Sequence, residues 1–448
     1  MKPIYEALLN KDFNNQIQFH MPGHLRGRGF DGFDVSPAID VTELPETDDL
    51  HSPSTCIKQS LEYAAGVFGA KKAYYLVNGS TAGVLSMVLG FVGNGEKIIA
   101  DRFCHKSFVS ALALSGAEPV WVCPSLIEGG TMWSSVKPSD IKRAVLNNPD
   151  AKAIYITAPN YFGIMGDVEK IAKIAHENNM YLLVDGAHGA HYGMNDKLPP
   201  TIISLGADAV CMSLHKTLPS LTQTAILLTN DKYERVENAL RTVQTSSPSY
   251  IFTSSCEHAV HFYENFQKTR WDELFCMVER YFPEQIKVEE NGVKFKDFTR
   301  LNCRTYGNSY EVKEILRKKY NIAVECSYGG GIVAILNAFH TENEIKALRD
   351  ALGEIRLGEY NPMRIAPTEG KKIYTPREAF FAKKKSVPID DAIGKISAEG
   401  IMVYPPGVYQ VLPGEEITKD AVDMLNELYK KGADIPCFDK SNCLIFDE

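Results

Sequence analysis

Two residues of this sequence, Asp185 and Lys216, follow apolar runs at positions where an acid or an amine could take part in a reaction. Asp185 ends the apolar run in YLLVDGAHGAHYG, and Lys216 follows the apolar run in CMSLHKTLPS. The ordinary interpretations are a structural carboxylate and a surface lysine. A lysine beside a buried sheet can also lose its proton and form an imine. A carboxylate in that position can pair with a protonated heteroaromatic nitrogen, because a buried carboxylate needs a donor or cationic partner.

A third feature, the turn NGSTAG, could bind phosphate. Gly79, Ser80 and Thr81 follow the apolar run YYLV and open a stretch with helical character. Free backbone N–H groups and two hydroxyls at a helix N-terminus attract an anion. The alternative is an N-capped helix after a glycine turn, without any ligand. The stretch is not a P-loop, because no Gly-Lys-Ser/Thr follows it.

Histidines near these residues allow other kinds of site. His188 and His191 with Asp185 could suggest a metal site, as could the two histidines of HMPGH. Neither set has the spacing of metal ligands on a helix, and no cysteine pair has zinc-ligand spacing, so we expect no metal. His105, in DRFCHKS, is either a loop histidine or a flat ring that stacks on a ligand.

The turn near residue 80, Asp185 and Lys216 together indicate a particular kind of site more strongly than any one of them does alone. A phosphate cradle near residue 80, an acid at 185 and a lysine at 216 are the parts that pyridoxal 5'-phosphate requires. The phosphate binds at a helix N-terminus, the acid keeps the pyridine nitrogen protonated, and the lysine holds the aldehyde as an imine. The sequence therefore predicts a pyridoxal phosphate site.

The elements that must position these groups are alternating strands and helices. Apolar runs of strand length between about residues 55 and 230 are AYYLVN, EKIIAD, EPVWVC, AKAIYIT, MYLLVD and ADAVCMS. Helical patterns such as IKQSLEYAAGVFGA, TAGVLSMVLGFV and DVEKIAKIAHENN separate them. This alternation predicts parallel strands buried on both faces. Functional groups in such sheets gather at the carboxyl ends of the strands, where Gly79, Asp185 and Ser213 all lie.

Four segments are expected. Residues 1–50 form an N-terminal arm, and residues 51–284 form the large domain that binds the cofactor. Strand–helix–strand–helix patterning predicts a small α+β domain over residues 285–358. The segment 359–448, rich in Pro and Gly and ending in a short helix and a tail, is expected to complete the active site.

Composition narrows the class of protein. The chain has 448 residues and a net charge of −8 without a long basic block, so we expect neither nucleic acid nor membrane as a partner. Its N-terminus lacks the apolar core of a signal peptide, and its most apolar window is too short to span a bilayer. Its ten cysteines contain no CxxC pair, which favours reduced thiols in a cytoplasmic protein.

Motifs along nearly the whole chain resemble one known family, the bacterial ornithine/lysine/arginine decarboxylases. They are HMPGH, DDLH, FGAKKAYYLVNGSTAG, DRFCHKS, PNYFGIMGD, VDGAHGAH, SLHKTLPSLTQ, TSSPSY, PREAFFAKKKSVP and YPPG…LPGEE. The chain is similar to the short form, which lacks an N-terminal receiver-like domain. The resemblance implies the fold of pyridoxal phosphate enzymes of the aspartate aminotransferase type, fold type I. In that α/β fold a large, mostly parallel sheet carries helices on both faces, and smaller α+β domains follow.

The resemblance also implies residue roles. Lys216 forms the imine with the cofactor, Asp185 pairs with the pyridine nitrogen, and His105 stacks on the ring. His188 lies close to the ring. The implied phosphate ligands are Gly79, Ser80, Thr81, Ser213 and His215, with Ser246 and Ser247 reaching in from a second subunit of a homodimer or larger even assembly. The implied reaction is loss of CO2 from an amino acid, after which Lys216 or a histidine returns a proton to Cα.

Departures from the family pattern concern the substrate. Leu25 replaces a lysine after PGH, HSPSTCIKQ lacks a usual glycine, and Tyr409 and Gln410 replace a proline and an apolar residue. A basic substrate would need an acidic partner. Candidate substrate-binding residues are Asp48, Asp49, Glu399 and Glu415, together with Tyr409. We hypothesise from these departures that the substrate differs from ordinary lysine, arginine or ornithine.

Two alternatives stay open at this point. The same fold can carry out transamination or side-chain elimination, for which an arginine would clamp the substrate carboxylate. Arg304 and Arg364 are the nominees, although neither lies in a motif that marks such a role. The other alternative is a protein that binds the cofactor without catalysis, which the joint presence of Lys216, Asp185 and His105 disfavours.

Overall fold

The computed structural model describes most of the chain. The described residues are 16–33, 35–127, 130–286, 292–363, 370–404, 407–436 and 442–447. Among them no helix has both the length and the apolar character needed to cross a membrane.

A seven-stranded sheet forms the centre of the large domain. Its strands, in chain order, are β1 (Lys72–Leu76), β2 (Lys97–Asp101), β3 (Glu118–Val122), β4 (Ala153–Thr157), β5 (Tyr181–Asp185), β6 (Ala209–Met212) and β7 (Ala225–Thr229). The order across the sheet is β1-β7-β6-β5-β4-β2-β3. Only β7 runs antiparallel to its neighbours. The expected mostly parallel sheet is confirmed, whereas the antiparallel strand β7 was not predicted.

Helices cover both faces of this sheet. They are α1 (Cys56–Phe68), α2 (Gly79–Phe91), α3 (Lys106–Ser115), α4 (Pro138–Asn147), α5 (Val168–Glu177), α6 (Leu214–Thr217), α7 (Glu234–Val243), α8 (Tyr250–Asn265) and α9 (Lys268–Tyr281). Alternate strand residues enter different cores. Leu183 of β5 packs into the core shared with α2, α3 and α7, while Leu182 and Val184 pack into the core shared with α1, α4 and α5. Burial on both faces explains why these strands are continuous apolar runs.

A three-stranded antiparallel sheet follows, built from β8 (Arg300–Arg304), β9 (Cys326–Tyr328) and β10 (Gly331–Ile335) in the order β8-β10-β9. It carries α10 (Ser309–Lys319) and α11 (Glu342–Glu354), and α11 packs against α9 of the large domain. The strand Ile17–Phe19 pairs in parallel with Ile322–Val324, so the N-terminal arm is tied to this small domain. Short two-residue strands are Leu126–Ile127, Met132–Trp133, Ile164–Met165 and Phe295–Lys296.

The C-terminal segment has a core of its own. It contains α12 (Pro376–Phe381) and α13 (Lys419–Lys430). A hairpin pairs Ile401–Val403 with Val408–Val411. The strand Lys384–Pro388 pairs with Asn442–Phe446, so the end of the chain is a paired strand where the sequence suggested only a tail.

Candidate active site

Lys216 lies at the carboxyl edge of the large sheet, on the one-turn helix α6 directly after β6. Its Nζ is 3.2 Å from Nε2 of His188, which follows β5. Burial lowers the pKa of the Lys216 ammonium, although the Asp185 carboxylate acts in the opposite direction. A lysine in this position has a larger share of free amine at neutral pH than a surface lysine.

Asp185, the last residue of β5, is a buried carboxylate held by neutral donors. Its Oδ1 accepts a hydrogen bond from the backbone N–H of Ala187, and its Oδ2 accepts one from the hydroxyl of Tyr155 at 3.2 Å. Tyr155 stacks on Phe108 and is fully buried. A buried carboxylate with only neutral partners offers a place for a cationic group, such as a protonated ring nitrogen.

The NGSTAG turn opens α2 as the sequence predicted, and its first turn faces the lysine segment. Ser213 Oγ donates to Ser80 Oγ at 2.9 Å, which brings the two hydroxyls together. Gly83 permits this approach, because a Cβ there would lie 2.4 Å from Cys211 Sγ of β6. The Asn78 side chain makes no capping bond to the helix. The first turn of this thirteen-residue helix therefore has N–H groups available to an anion.

The other predicted phosphate ligands are either exposed or already hydrogen-bonded to the protein. Thr81 is exposed on α2. The His215 ring is engaged through Nδ1 with the carbonyl of Thr224 at 2.8 Å, and burial lowers its pKa to about 4. Ser246 and Ser247 are exposed, and their loop is joined to Asn78 by a hydrogen bond from the backbone N–H of Thr245. That loop therefore lies beside the start of α2 in its own chain.

His105 caps α3 and is half-buried near Asp185 and Lys216. Its Nδ1 accepts from the backbone N–H of Ser107, and burial lowers its pKa to about 4. A neutral imidazole is thus favoured. Val408 of the C-terminal hairpin forms a β-bridge with His105, so the C-terminal segment reaches the site.

Three side chains close to His188 or Lys216 were not among the predicted site residues: Arg300, Glu325 and Tyr161. Arg300 begins β8, is fully buried, and its Nη2 is 3.4 Å from His188 Nδ1. The Tyr161 hydroxyl donates to Glu325 Oε1 at 2.6 Å, and its ring meets the His188 ring edge-on. Glu325 is one of the two carboxylates that raise the pKa of Lys216. For Arg300 and Glu325 the only signal in the sequence was a single charged residue at or beside an apolar strand, whereas Tyr161 lies in the motif PNYFGIMGD.

The HMPGH loop also belongs to this neighbourhood. The backbone N–H of Met21 donates to Glu325 Oε2 at 3.0 Å, and Gly23 N–H donates to the carbonyl of His215 at 2.8 Å. A Cβ on Gly23 would lie 2.8 Å from the Thr217 backbone, so only glycine allows this contact. Leu25 is buried in a left-handed conformation. His20 and His24 bond within the loop itself.

Some predicted substrate residues have other partners in the structure. The Asp48 carboxylate accepts hydrogen bonds from the backbone N–H groups of Ser54, Thr55 and Ile57, so in this structure it caps α1, and its substrate role stays a prediction. Burial acts to raise the pKa of the Asp48 carboxyl, but the hydrogen bonds from the backbone outweigh it and lower that pKa strongly. Asp49 is half-buried and accepts from the His51 backbone at 2.7 Å.

The predicted substrate-binding residues of the C-terminal segment also contact other residues of the protein. Glu399 is exposed and pairs with Lys384 at 3.0 Å. Glu415 is buried in a two-point pair with Arg102, and its substrate role stays a prediction. Tyr409 is half-buried against Gly400, and burial raises its pKa to about 12.

Three residues were considered for the alternative functions: Arg304 and Arg364 for binding a substrate carboxylate, and His191 for binding a metal. Arg304 is exposed at the end of β8, where it faces the ring of Tyr360. Arg364 lies outside the described residues. Nε2 of His191 lies 3.0 Å from Oδ2 of Asp297, so the acidic partner of His191 is Asp297 and not Asp185. In the described part of the chain, no group of three or more His, Cys, Asp or Glu side chains is placed to hold a metal ion.

The residues present fit pyridoxal phosphate. A buried carboxylate without a cationic partner suits the pyridine nitrogen, and an open first turn of α2 with two adjoining hydroxyls suits the phosphate. A lysine with a lowered pKa stands at the same sheet edge. These three groups supply the contacts that this cofactor requires.

Comparison with known proteins identifies the family. Residues 2–313 match the family model for the Orn/Lys/Arg decarboxylase major domain, and residues 365–442 match the model for its C-terminal domain. The chain therefore belongs to the Orn/Lys/Arg decarboxylase family. The family and the fold make it a pyridoxal phosphate-dependent amino acid decarboxylase, which confirms the predicted activity and cofactor.

Individual relatives agree with this placement. The chain is 31% identical to an arginine decarboxylase of Halalkalibacterium halodurans over 464 aligned positions, which cover 96% of this chain and 94% of the relative. It is also 31% identical to an arginine decarboxylase of Bacillus subtilis, covering 94% and 92%. The Francisella novicida lysine decarboxylase LdcF shares the fold, with a TM-score of 0.75, 18% identity, and 95% and 78% of the two chains covered.

Proposed function

We propose that this chain decarboxylates a basic amino acid at the site centred on Lys216, with arginine as the first candidate. The observation that carries the proposal is the meeting of Lys216, Asp185 and His188 at one sheet edge. The relatives named arginine decarboxylase support the choice of arginine.

Each residue has a defined task in this proposal. Lys216 attaches the cofactor covalently and returns a proton to Cα, since its lowered pKa makes its ammonium a better proton donor than that of a surface lysine. Asp185 keeps the pyridine nitrogen protonated, and His105 covers the ring. Ser80 and Ser213 hold the phosphate at the start of α2. When bound, the cofactor supplies the electron sink for the pair left behind by departing CO2.

Glu325 is our proposed partner for the distal cation of the substrate. Each of its carboxylate oxygens accepts one hydrogen bond, from Tyr161 and from the Met21 backbone, so each retains further acceptor capacity. The Glu325 side chain is half-buried, and its carboxylate raises the pKa of Lys216. A guanidinium or ammonium group would satisfy such a carboxylate by a charge-assisted hydrogen bond.

The departures at Leu25 and at Tyr409–Gln410 favour a substrate that differs from the three ordinary basic amino acids. The named relatives support arginine instead. Tyr409 lies on the hairpin that contacts His105 through Val408, so the change is close enough to alter the shape of the site. A substrate panel decides between the two proposals.

The experiment uses the full-length chain loaded with pyridoxal phosphate. It is given arginine, lysine, ornithine and then the other amino acids, while CO2 release and new amines are measured. We expect one amine, absent in Lys216→Ala and retained in the surface control Lys97→Ala. A keto acid formed without CO2 would refute decarboxylation by this chain. Borohydride reduction followed by peptide mapping reports separately whether Lys216 carries the cofactor.

A second experiment tests the substrate partner. Glu325→Gln is expected to raise KM for the basic substrate about 100-fold or more, because one charged partner is lost from a half-buried pair. Glu427→Gln is the matched control, since Glu427 is exposed on α13, paired with Lys431 and has no role in the proposal. Equal KM values for the two variants would remove Glu325 from the proposal.

We also propose a homodimer that acts in the cytoplasm. The exposed loop with Ser246 and Ser247 lies beside the start of α2, where a second subunit could reach it. All cysteines in the described part of the chain are free thiols, in keeping with a reducing compartment. Sedimentation of the loaded chain tests the dimer, and a purely monomeric active species would refute it.

A further inference from the structure

Behind Lys216 lies a buried arginine that the proposed roles do not use. Arg300 is fully buried, and its Nη2 is 3.4 Å from Nδ1 of His188. The other ring nitrogen of His188, Nε2, is 3.2 Å from Lys216 Nζ. The three side chains therefore stand in series, with the imidazole between the guanidinium and the lysine amine.

The direction of these hydrogen bonds follows from what each group can do. A guanidinium only donates, so Nδ1 of His188 must accept. A neutral imidazole carries one N–H, which is then on Nε2 and points at Lys216 Nζ. Lys216 can accept this bond only as the unprotonated amine, because an ammonium group has no lone pair.

The electrostatics of the cluster support the neutral forms. Burial lowers the pKa of His188 well below its usual value, and the charges of Lys216 and Arg300 lower it further. Burial also lowers the pKa of Lys216, and Arg300 acts in the same direction. An imidazolium here would place a second buried cation directly beside the guanidinium, at a high cost in desolvation and repulsion.

Packing holds Arg300 in place. A Cβ on Gly163 would lie 2.6 Å from Arg300 Cγ, so the arginine stem fills the space that this glycine leaves. The backbone N–H of Arg300 donates to the carbonyl of Asp297 at 3.1 Å. The Asp297 carboxylate lies 3.0 Å from His191 Nε2, and the Arg300 cation helps to lower the pKa of that carboxyl.

We propose that Arg300 is a positioning residue that holds His188 in its neutral Nε2–H tautomer and thereby holds Lys216 Nζ as a free amine. Arg300 thus prepares the lysine to attach the cofactor without touching the cofactor itself. The inference rests on the proposed role of Lys216 as the attachment residue.

The test observes the tautomer directly. The full-length chain is labelled with 15N-histidine and studied by NMR between pH 6 and 8.5, before and after loading with pyridoxal phosphate. Comparison with His188→Gln assigns the His188 signals. Before loading, we expect a protonated Nε2 and an unprotonated Nδ1 throughout this range. An Nδ1–H tautomer or an imidazolium in the unmodified chain would overturn the proposal.

Variants at Arg300 separate its charge from its bulk. Arg300→Lys keeps a cationic donor and is expected to retain the tautomer. Arg300→Met removes donor and charge, so the pKa of His188 should rise by about one unit or more, and acetylation of Lys216 should shift to higher pH. A variant Arg300→Met with His188 and Lys216 titrating as in the unmodified chain would refute the inference.

Two controls keep the outcome decisive. If Arg300→Met fails to fold by circular dichroism, the unmodified chain and Arg300→Lys still report the tautomer. Nε and Nη1 of Arg300 make no hydrogen bond in the described part of the chain, which raises a rival role as a clamp for the substrate carboxylate. A rise in KM with an unchanged His188 titration would support that rival and overturn ours. Borohydride trapping at Lys216 does not depend on the tautomer, so failure of the proposed function is recognised separately.

Discussion

Glu415→Gln tests how the C-terminal segment is fastened over the active site. Arg102, directly after β2, forms two hydrogen bonds with Glu415, Nη1 to Oε1 at 3.0 Å and Nη2 to Oε2 at 2.9 Å. The two side chains are only 7% and 6% exposed. Arg102 Nη2 also donates to the carbonyl of Gln410 in the hairpin that meets His105. The substitution keeps the shape of Glu415 and removes its charge.

The expected loss follows from burial. Removing one partner of a buried ion pair leaves an uncompensated charge and costs about 3–5 kcal/mol. With an unfolding entropy of about 2.1 cal/mol/K per residue, this lowers Tm by about 3–5 °C for a chain of 448 residues. The control is Asp150→Asn, which breaks the exposed pair with Lys97. Water screens that exposed pair, so its loss should lower Tm by about 1 °C or less.

The assay is thermal unfolding at a fixed chain concentration and saturating cofactor, together with kcat/KM. We expect Glu415→Gln to lower both Tm and kcat/KM, since the hairpin that contacts His105 is loosened. Arg102→Gln should cost a similar amount, and the double variant should cost less than the sum of the two. A Tm within 1 °C of the Asp150→Asn control, or strictly additive single variants, would refute the reasoning.

Three further changes have defined outcomes. Tyr155→Phe removes a donor to Asp185, so kcat/KM should fall about 10-fold with little change in fold, and an unchanged rate would show that the bond is dispensable. Gly83→Ala should weaken cofactor binding about 10-fold in a fluorescence titration, because its Cβ would meet Cys211 and push α2 outward. Acid should destabilise the chain without cofactor: burial lowers to about 4 the pKa of three histidines, which are His105, His215 and His340. Because the unfolded chain binds these protons from pH 6.5 downward, stability should fall between pH 6.5 and 4, opposed by Asp101, whose raised pKa of about 7 favours the folded state in acid. For these four groups, three histidines against one aspartate, the slope is about 2–3 kcal/mol per pH unit, and the lowered pKa of His188 acts in the same direction; a flat Tm profile from pH 6.5 to 5 would contradict the reasoning.

Much of the large domain could be predicted because its signals are local. Buried parallel strands are continuous apolar runs, and the YLLVD run of β5 ends at Asp185 in the structure as it does in the sequence. The start of α2 was marked by Gly79, whose left-handed conformation makes the turn. The antiparallel direction of β7 was missed, because direction depends on the connection and not on the composition of the strand.

The substrate end of the site could not be predicted in the same way. Asp48 attracted attention as an acid in DDLH, but a left-handed backbone turns its carboxylate onto the N–H groups that precede α1. Glu325 and Arg300 belong to the small domain, far in sequence from Lys216. Their nearness depends on how that domain docks, and no local pattern encodes docking. Single charges at or next to apolar strands were the only sequence trace of either residue.

Charge compensation links these features to substrate choice in our proposal. Burial favours the neutral forms of His105 and His188, while the carboxyl groups of Asp185 and Glu325 both act to raise the pKa of Lys216. In this proposal the pyridine nitrogen pairs with Asp185, and the substrate pairs with Glu325, which in the described part of the chain accepts hydrogen bonds from Tyr161 and the Met21 backbone. A basic side chain supplies a cation to Glu325, whereas an apolar side chain of similar length would desolvate Glu325 without a cationic partner. Because leaving a charged group unpaired costs several kcal/mol, discrimination against apolar amino acids should reach at least about 100-fold in kcat/KM.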